Sequence, residues 1–145
     1  MAPQEEVTDS PTGWVAKHVH RYVETEGREG HEWRGVPTLL LTTRGRKSGK
    51  LRRTALIYGK DDEERYLLVA SKGGAPEHPS WYLNLTEHPE VEVQVGADKF
   101  AARARTADAQ EKPRLWQVMA SIWPDYDGYQ KKTGRDIPVV IVERI

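Results

Sequence analysis

Apolar residues along this chain follow two periods, and the change from one to the other predicts where helix gives way to sheet. Trp14, Val15, His18, Val19, Tyr22 and Val23 recur at i, i+1, i+4, i+5, i+8 and i+9, which builds one stripe along a helix. Ser10 and Pro11 supply an N-cap and a proline at the first helical position, and Gly27 a stop, so a helix is expected over 11–26. Beyond it, short β-leaning runs predict strands over 36–42, 54–59, 65–71, 90–95, 99–105 and 137–143. The run EVEVQV at 90–95 alternates as half-buried sheet does, while IPVVIVE at 137–143 is strongly apolar. Further helices are expected from Pro79-Ser80 and from Asp108, with Glu111 at capping-box spacing, and a short helix or turn over 125–132 after Trp123-Pro124.

Short strands joined by short loops predict antiparallel pairing. The fold class expected is α+β: about six mostly antiparallel strands forming a small barrel, with an N-terminal helix and flanking helices. Residues 1–10 read as a disordered tail, 11–27 as the amphipathic helix and 36–145 as the barrel domain. A stripe like that of the first helix packs either on its own domain or on a partner or membrane surface.

Composition narrows the chemistry. Lysine plus arginine and aspartate plus glutamate are 22 each, so the net charge is zero and any cluster of charge is local. No cysteine is present, which excludes a disulfide framework, a thiolate nucleophile and Cys-ligated metal. His18, His20, His31, His78 and His88 lack ligand spacing, so no metal is expected. With no spanning apolar stretch and an acidic, polar MAPQEEVTDS start, a cytoplasmic protein is expected.

The one strong local charge is the loop RGRKSGKLRR, where Arg44, Arg46, Lys47, Lys50, Arg52 and Arg53 are interrupted by Gly45 and Gly49. Such a cluster repels itself unless an anion neutralises it, and the glycines let backbone N–H groups approach a ligand. It is not a Walker A loop, because Lys50 is followed by Leu51 and no helical pattern comes next. The candidate anions are the phosphate of a small cofactor and the backbone of a nucleic acid; the balanced net charge argues against a general nucleic-acid binder. A second candidate is SKGGAPEHPSWYLNL, where Lys72 lies beside a helix N-terminus. A third is WPDYDGY, which sets Trp123, Tyr126 and Tyr129 at i, i+3 and i+6.

The blocks TLLLTTRGRKSGKLRRTAL, LLVASKGG, HPSWYLNL, WPDYDGY and IPVVIVER, in this order and spacing, resemble the deazaflavin-dependent nitroreductase family over 36–143. The resemblance implies a split β-barrel like that of FMN-binding flavin reductases, and coenzyme F-420, an 8-hydroxy-5-deazaflavin with a phosphate and an oligoglutamate tail. It implies that Arg46, Lys47, Ser48, Arg52, Arg53, Thr54, Ala55, Leu56 and Ile57 lie on the phosphate and tail side. Val69, Ala70, Ser71, Lys72, Ser80, Trp81, Tyr82, Leu83 and Asn84 would line the deazaflavin ring. Tyr126 matches the family's active-site tyrosine and Ser71 a polar contact near the substrate, while Trp123, Tyr126, Tyr129 and Ile57 would form the acceptor site. Trp123 and Ile57 stand where the name-giving members have tyrosines.

The activity so implied is hydride transfer from reduced deazaflavin to a quinone, an activated enone or a nitroaromatic, with a proton from Tyr126 or water. A quinone acceptor would give the first helix a reason for peripheral contact at the inner face of the membrane. Two rivals remain: the same barrel holding FMN, haem or deazaflavin without this turnover, and a nucleic-acid module using the basic loop.

Overall fold

The two most apolar runs, Leu39-Leu40-Leu41 and Val139-Val140-Ile141-Val142, are strand residues buried on both faces of a sheet, which is why neither alternates. A computed structural model describes Val7–Asp9 and residues 13–145, with side chains from Val15 onward. The order is β1 (Val7–Asp9), α1 (Gly13–Thr25), β2 (Glu32–Trp33), β3 (Val36–Arg44), β4 (Leu51–Ile57), β5 (Gly59–Lys60), β6 (Tyr66–Val69), and a 3-10 turn (Lys72–Gly74). Then follow α2 (Ser80–Glu87), β7 (Glu90–Val95), β8 (Asp98–Thr106), α3 (Lys112–Ile122), α4 (Asp125–Lys132) and β9 (Val139–Arg144). The strands form one sheet in the order β1-β4-β3-β7-β8-β9-β6-β5, with β2 on β3. Every pairing is antiparallel except β1 with β4.

The period-2 alternation sorts each strand's side chains between two layers. Leu39, Leu41, Leu68, Val91, Val93, Ala102, Ala104, Val140 and Val142 meet in one cluster, with Leu85 of α2. Leu67, Val69, Val139 and Ile141 point the other way and pack on Leu115 and Met119 of α3 and Tyr126 of α4. Leu40 is likewise turned away from its neighbours and meets Val15, Val19 and Tyr22 of α1. Val15, Val19 and Tyr22, from the apolar stripe of α1, are therefore spent on the protein's own sheet. Its far end is locked too: Tyr22 Oη accepts from Gly96 N at 2.6 Å and donates to Thr38 O at 3.1 Å. Gly27, at φ 82, lies so close to Gly96 that a Cβ there would collide with backbone.

The expected elements are present, with four corrections. Val7–Asp9 is not tail: it pairs Val7 with Leu51, Thr8 with Arg52 and Asp9 with Arg53, covering the otherwise open edge of β4. β1 and the barrel strands are thus parts of one sheet. Residues 1–6, the Ser10-Pro11 cap and the Trp14 side chain lie outside the described residues. Among the described residues nine strands replace about six, because β1, β2 and β5 are two or three residues long and carry no periodic signal. β4 starts at Leu51, not 54, so Arg52 and Arg53 are ladder residues opposite Thr43 and Thr42. Finally, Asp108 and Glu111 do form reciprocal cap bonds, at 3.0 and 2.9 Å, but around a turn that precedes α3.

Candidate functional site

The cationic loop reduces to residues 45–50 between the last β3–β4 pair, Arg44 with Leu51. It is closed by Gly45 N donating to Lys50 O at 2.8 Å and Gly49 N donating to Gly45 O at 2.9 Å, with Gly49 at φ 71. Ser48 Oγ accepts from Lys50 N at 3.2 Å, which leaves its own hydrogen to donate elsewhere. The amides of Lys47 and Ser48 donate to no described residue. Arg46, Lys47, Lys50 and Arg52 have no carboxylate within salt-bridge distance among the described residues.

Asn84 holds this loop in place. It is buried, and its Oδ1 accepts from Arg46 N at 3.1 Å and Arg46 Nη1 at 2.9 Å, while its Nδ2 donates to Thr43 Oγ1 at 3.3 Å. Arg46 Nη1 also reaches Ser80 O at 3.5 Å. So α2 and the loop are one unit, and β4 beside them is half-buried along most of its length.

The approach to α2 is organised by Arg135, which sequence reasoning missed. Its guanidinium donates to Ala75 O at 2.9 Å, Ala70 O at 3.2 Å, Ser71 O at 2.8 Å and His78 Nδ1 at 3.0 Å. Because arginine only donates, His78 carries its hydrogen on Nε2. Burial, then the neighbouring Arg135 charge, push the His78 pKa down and keep the ring neutral. The same segment bends sharply: Lys72, Gly73 and Gly74 have φ of 46, 63 and 82. A Cβ on Gly74 would lie 2.8 Å from Tyr129 O, so this segment sits directly on α4.

The aromatic residues after Trp123 form the other side. Tyr126 is 5% exposed, and its ring lies 6.1 Å from Tyr129, edge to face, and 6.3 Å from Trp116. Burial, then the proximity of Tyr129, raise the Tyr126 pKa well above its ordinary value. Its hydroxyl bonds to no described residue. Trp123 Nε1 points to Tyr129 Oη at 3.5 Å, and Trp116 Nε1 donates to Asp127 Oδ1 at 2.7 Å, tying α3 to α4. Ile57 packs on the same cluster. Trp33, a second omission, lies against Trp123 with centroids 5.4 Å apart and the rings tilted by 40°.

The predicted residues therefore fall into two groups bridged by α2 and the 70–79 segment. Arg46, Lys47, Ser48, Ser80 and Asn84 meet around the loop, with Arg52, Arg53, Thr54, Ala55 and Leu56 on β4 alongside. Ile57, Trp123, Tyr126 and Tyr129 meet on α4. Several expected ring-lining side chains are otherwise engaged. Ala70 has no exposed surface, Val69 packs against α3 and α4, and Lys72 Nζ pairs with Glu77 Oε1 at 3.0 Å. Tyr82 Oη bonds Thr106 Oγ1 at 2.8 Å, while Trp81 and Tyr82 pack on the inner cluster. Ser71 is buried and Leu83 half-buried. Among the described residues no helix is long and apolar enough to cross a membrane.

The family described as F420H(2)-dependent quinone reductase matches the chain over residues 14–144. The chain belongs to this family. It is 42% identical over 144 residues to the F420H(2)-dependent quinone reductase Rv1261c of Mycobacterium tuberculosis, covering 90% of this chain and 96% of that protein. A solved structure described as a domain-swapped dimer is 41% identical with a TM-score of 0.70, covering 92% of this chain and 100% of that one. A second, the F420-H2 dependent reductase FDR-A, is 44% identical with a TM-score of 0.68, covering 74% and 94%. The α+β, split β-barrel class expected from sequence is the fold these relatives share, and the quinone reductase family is an oxidoreductase family that draws on reduced coenzyme F-420.

Proposed function

We propose that this chain passes a hydride from reduced coenzyme F-420 to a quinone, with the deazaflavin's phosphate-bearing tail on the 45–50 loop and the quinone against the α4 aromatics. The observation that carries the reading is the group of four cations, Arg46, Lys47, Lys50 and Arg52, which no carboxylate neutralises among the described residues. A phosphate followed by carboxylates brings the charge that is missing, and the amides of Lys47 and Ser48 offer it two more donors. The residues present thus fit the group. When bound, the deazaflavin would supply a hydride, that is one proton with two electrons, and one further proton would complete the hydroquinone.

The chain's own residues set distance, orientation and proton supply. Lys47 and Arg52 grip the tail, Asn84 fixes the loop that carries Lys47, and Arg135 fixes Ser71 near the ring. Tyr126 Oη donates a hydrogen bond to the quinone oxygen as negative charge builds there. With its pKa raised by burial, the phenol stays protonated at neutral pH, so either it or a water delivers the proton. Activated enones and nitroaromatics, also electron-poor, would take the same place. The side of α1 left exposed carries Lys17, Arg21 and His20, the last paired with the exposed Glu24, and contact with an anionic bilayer through Lys17 and Arg21 belongs to the proposal. A Lys17→Glu/Arg21→Glu protein that co-sediments with anionic liposomes as the parent does would remove that contact.

The test is parallel titration of the parent and of Lys47→Glu and Arg52→Glu proteins with oxidised and reduced deazaflavin, FMN and single-stranded DNA, followed by addition of a quinone. Each reversal should weaken deazaflavin binding by roughly tenfold or more, the loss expected for one charge-assisted hydrogen bond. Unchanged affinity, or preferential binding of FMN or DNA by the parent, would overturn the reading.

A further inference from the structure

We propose that His78 is a positioning residue for the hydride transfer: its neutral imidazole completes the acceptors around Arg135, and its protonation releases the 70–79 segment and lowers activity in mild acid. The inference rests on the reading of that segment as lying beside the deazaflavin ring.

Arg135 lies in the link between α4 and β9, and each of its nitrogens is committed to a neutral acceptor. Nε donates to Ala75 O at 2.9 Å and Nη2 to Ser71 O at 2.8 Å, while Nη1 spends both hydrogens, on Ala70 O at 3.2 Å and His78 Nδ1 at 3.0 Å. Three of these acceptors are carbonyls of the segment, so one guanidinium gathers positions 70, 71 and 75. Between them Gly74 N donates to Ser71 O at 2.9 Å and Ala75 N to Lys72 O at 3.1 Å, closing the left-handed turn that rests on Tyr129. A carbonyl can only accept. The imidazole is the acceptor in this set that becomes a donor when it gains a proton.

Protonation at Nδ1 would set one N–H against another and place a second positive charge within hydrogen-bond distance of the first. No carboxylate is placed to offset it. Among the described residues Arg135 has no acidic partner within salt-bridge distance. Glu77 pairs with Lys72 Nζ at 3.0 Å, and Asp136 pairs with Lys112. On α2 the Tyr82 ring lies 4.9 Å from the imidazole, with its hydroxyl engaged by Thr106 Oγ1 at 2.8 Å, and Arg46 reaches the same helix at Ser80 O. From α4, Tyr129 and Lys132 come against Gly74. Burial and then the Arg135 charge hold the His78 pKa below its ordinary 6.5, so the ring accepts throughout the neutral range and charges only in mild acid. The sign follows: stability and order in the segment are complete above 6.5 and are lost as pH falls through the lowered folded value. A purely static role would be met by asparagine, which accepts at every pH.

The experiment follows kcat/KM for reduced deazaflavin, with 2-methyl-1,4-naphthoquinone as acceptor, from about pH 4.5 to about pH 8 in the full-length parent, His78→Asn and His78→Ala. Asparagine puts Oδ1 where Nδ1 stands and does not titrate. Ionisations of carrier and acceptor are common to all three proteins, so the parent-to-His78→Asn ratio at each pH is the readout. That ratio should lie within about twofold of unity at the alkaline end and fall roughly tenfold toward the acid end, the loss expected for one hydrogen bond to a charged group. His78→Ala, without an acceptor, should fall below both at the alkaline end. In the unliganded proteins, the Gly74 and Ala75 amides should lose hydrogen-exchange protection over the same pH span in the parent but not in His78→Asn, after correction for intrinsic exchange. A ratio that does not change with pH, protection indifferent to the His78 charge, or equal losses in the Asn and Ala proteins would overturn the inference. If His78→Asn does not fold, the parent still decides: the NMR titration of the His78 ring and the loss of protection must share one midpoint, and separate midpoints overturn the inference. A parent inactive at every pH would remove the reading beneath it, whereas an active parent with a flat ratio would remove this inference alone.

Discussion

Replacing Asn84 with alanine would separate the positioning of the cationic loop from its charge. Asn84 is 4% exposed and makes three bonds: it accepts from Arg46 N at 3.1 Å and Arg46 Nη1 at 2.9 Å, and donates to Thr43 Oγ1 at 3.3 Å. Two are neutral, worth about 1 kcal/mol each, and one involves a charged donor, worth about 1.5 to 3 kcal/mol. Water can partly replace the asparagine at half-buried Arg46 but not at Thr43, so the low end applies, about 3 kcal/mol. For a chain of this length that corresponds to a fall in Tm of roughly 9 to 12 °C. Releasing the loop should also weaken deazaflavin binding about tenfold, because the ligand must then order it. Lys47→Ala, at an exposed position, should lose similar affinity with a Tm change under about 2 °C. Asn84→Asp keeps the acceptor but adds a carboxylate beside Arg46, so its affinity should fall by more than its stability does. Calorimetry and ligand titration measure both quantities. An Asn84→Ala protein with the parent's Tm and affinity would refute the claim that α2 holds the loop.

Tyr126→Phe should lower kcat roughly a hundredfold, as for losing one oxyanion donor, with deazaflavin affinity unchanged. Because burial raises the Tyr126 pKa above 10.0, the phenol should cause no loss of rate with rising pH through the neutral range; a Phe variant as fast as the parent would remove its role. Gly74→Ala places a Cβ 2.8 Å from Tyr129 O at φ 82 and should reduce acceptor kcat/KM, at a stability cost of about 2 to 3 kcal/mol; Gly73→Ala, at φ 63 with nothing nearby, should cost only about 1 kcal/mol. Glu111 is held at about 2 by hydrogen bonds from Arg105 and from the Asp108 amide. A pKa lowered on folding gives stability that is complete above the ordinary 4.5 of a glutamate and is lost as pH falls toward 2, so Glu111→Gln should lower Tm at pH 7 and flatten this acid limb.

What the sequence revealed followed from how far apart the interacting residues lie. The α4 boundaries at 125 and 132 and the β7 boundaries at 90 and 95 were legible, because proline punctuation and clean alternation act within a few residues. The loop's cations were legible for the same reason. The strand β1 was not, since its partner Leu51 lies far along the chain and three residues hold no period. Nor was Arg135, whose partners are 57 to 65 residues away and are three carbonyls and a histidine nitrogen, groups with no sequence signature. The family blocks pointed to Ser71 and Lys72 as candidates but could not reveal that Lys72 pairs with Glu77, or that Ala70 is closed off.

These long-range contacts bear on how the two halves of the site cooperate. Asn84 joins the cationic loop to α2, and His78, which lies 4.9 Å from Tyr82 of α2, joins that helix to Arg135. Arg135 then holds the carbonyls on either side of the Ser71 amide, and Gly74 presses on Tyr129. Every link in this series is a hydrogen bond or a close contact between buried or half-buried groups, so a shift at one end has few ways to dissipate before it reaches the other. Hydride transfer depends steeply on the distance between donor carbon and acceptor. With the carrier's tail and the acceptor placed as proposed, one short rigid segment would set that distance without needing any side chain to touch both molecules.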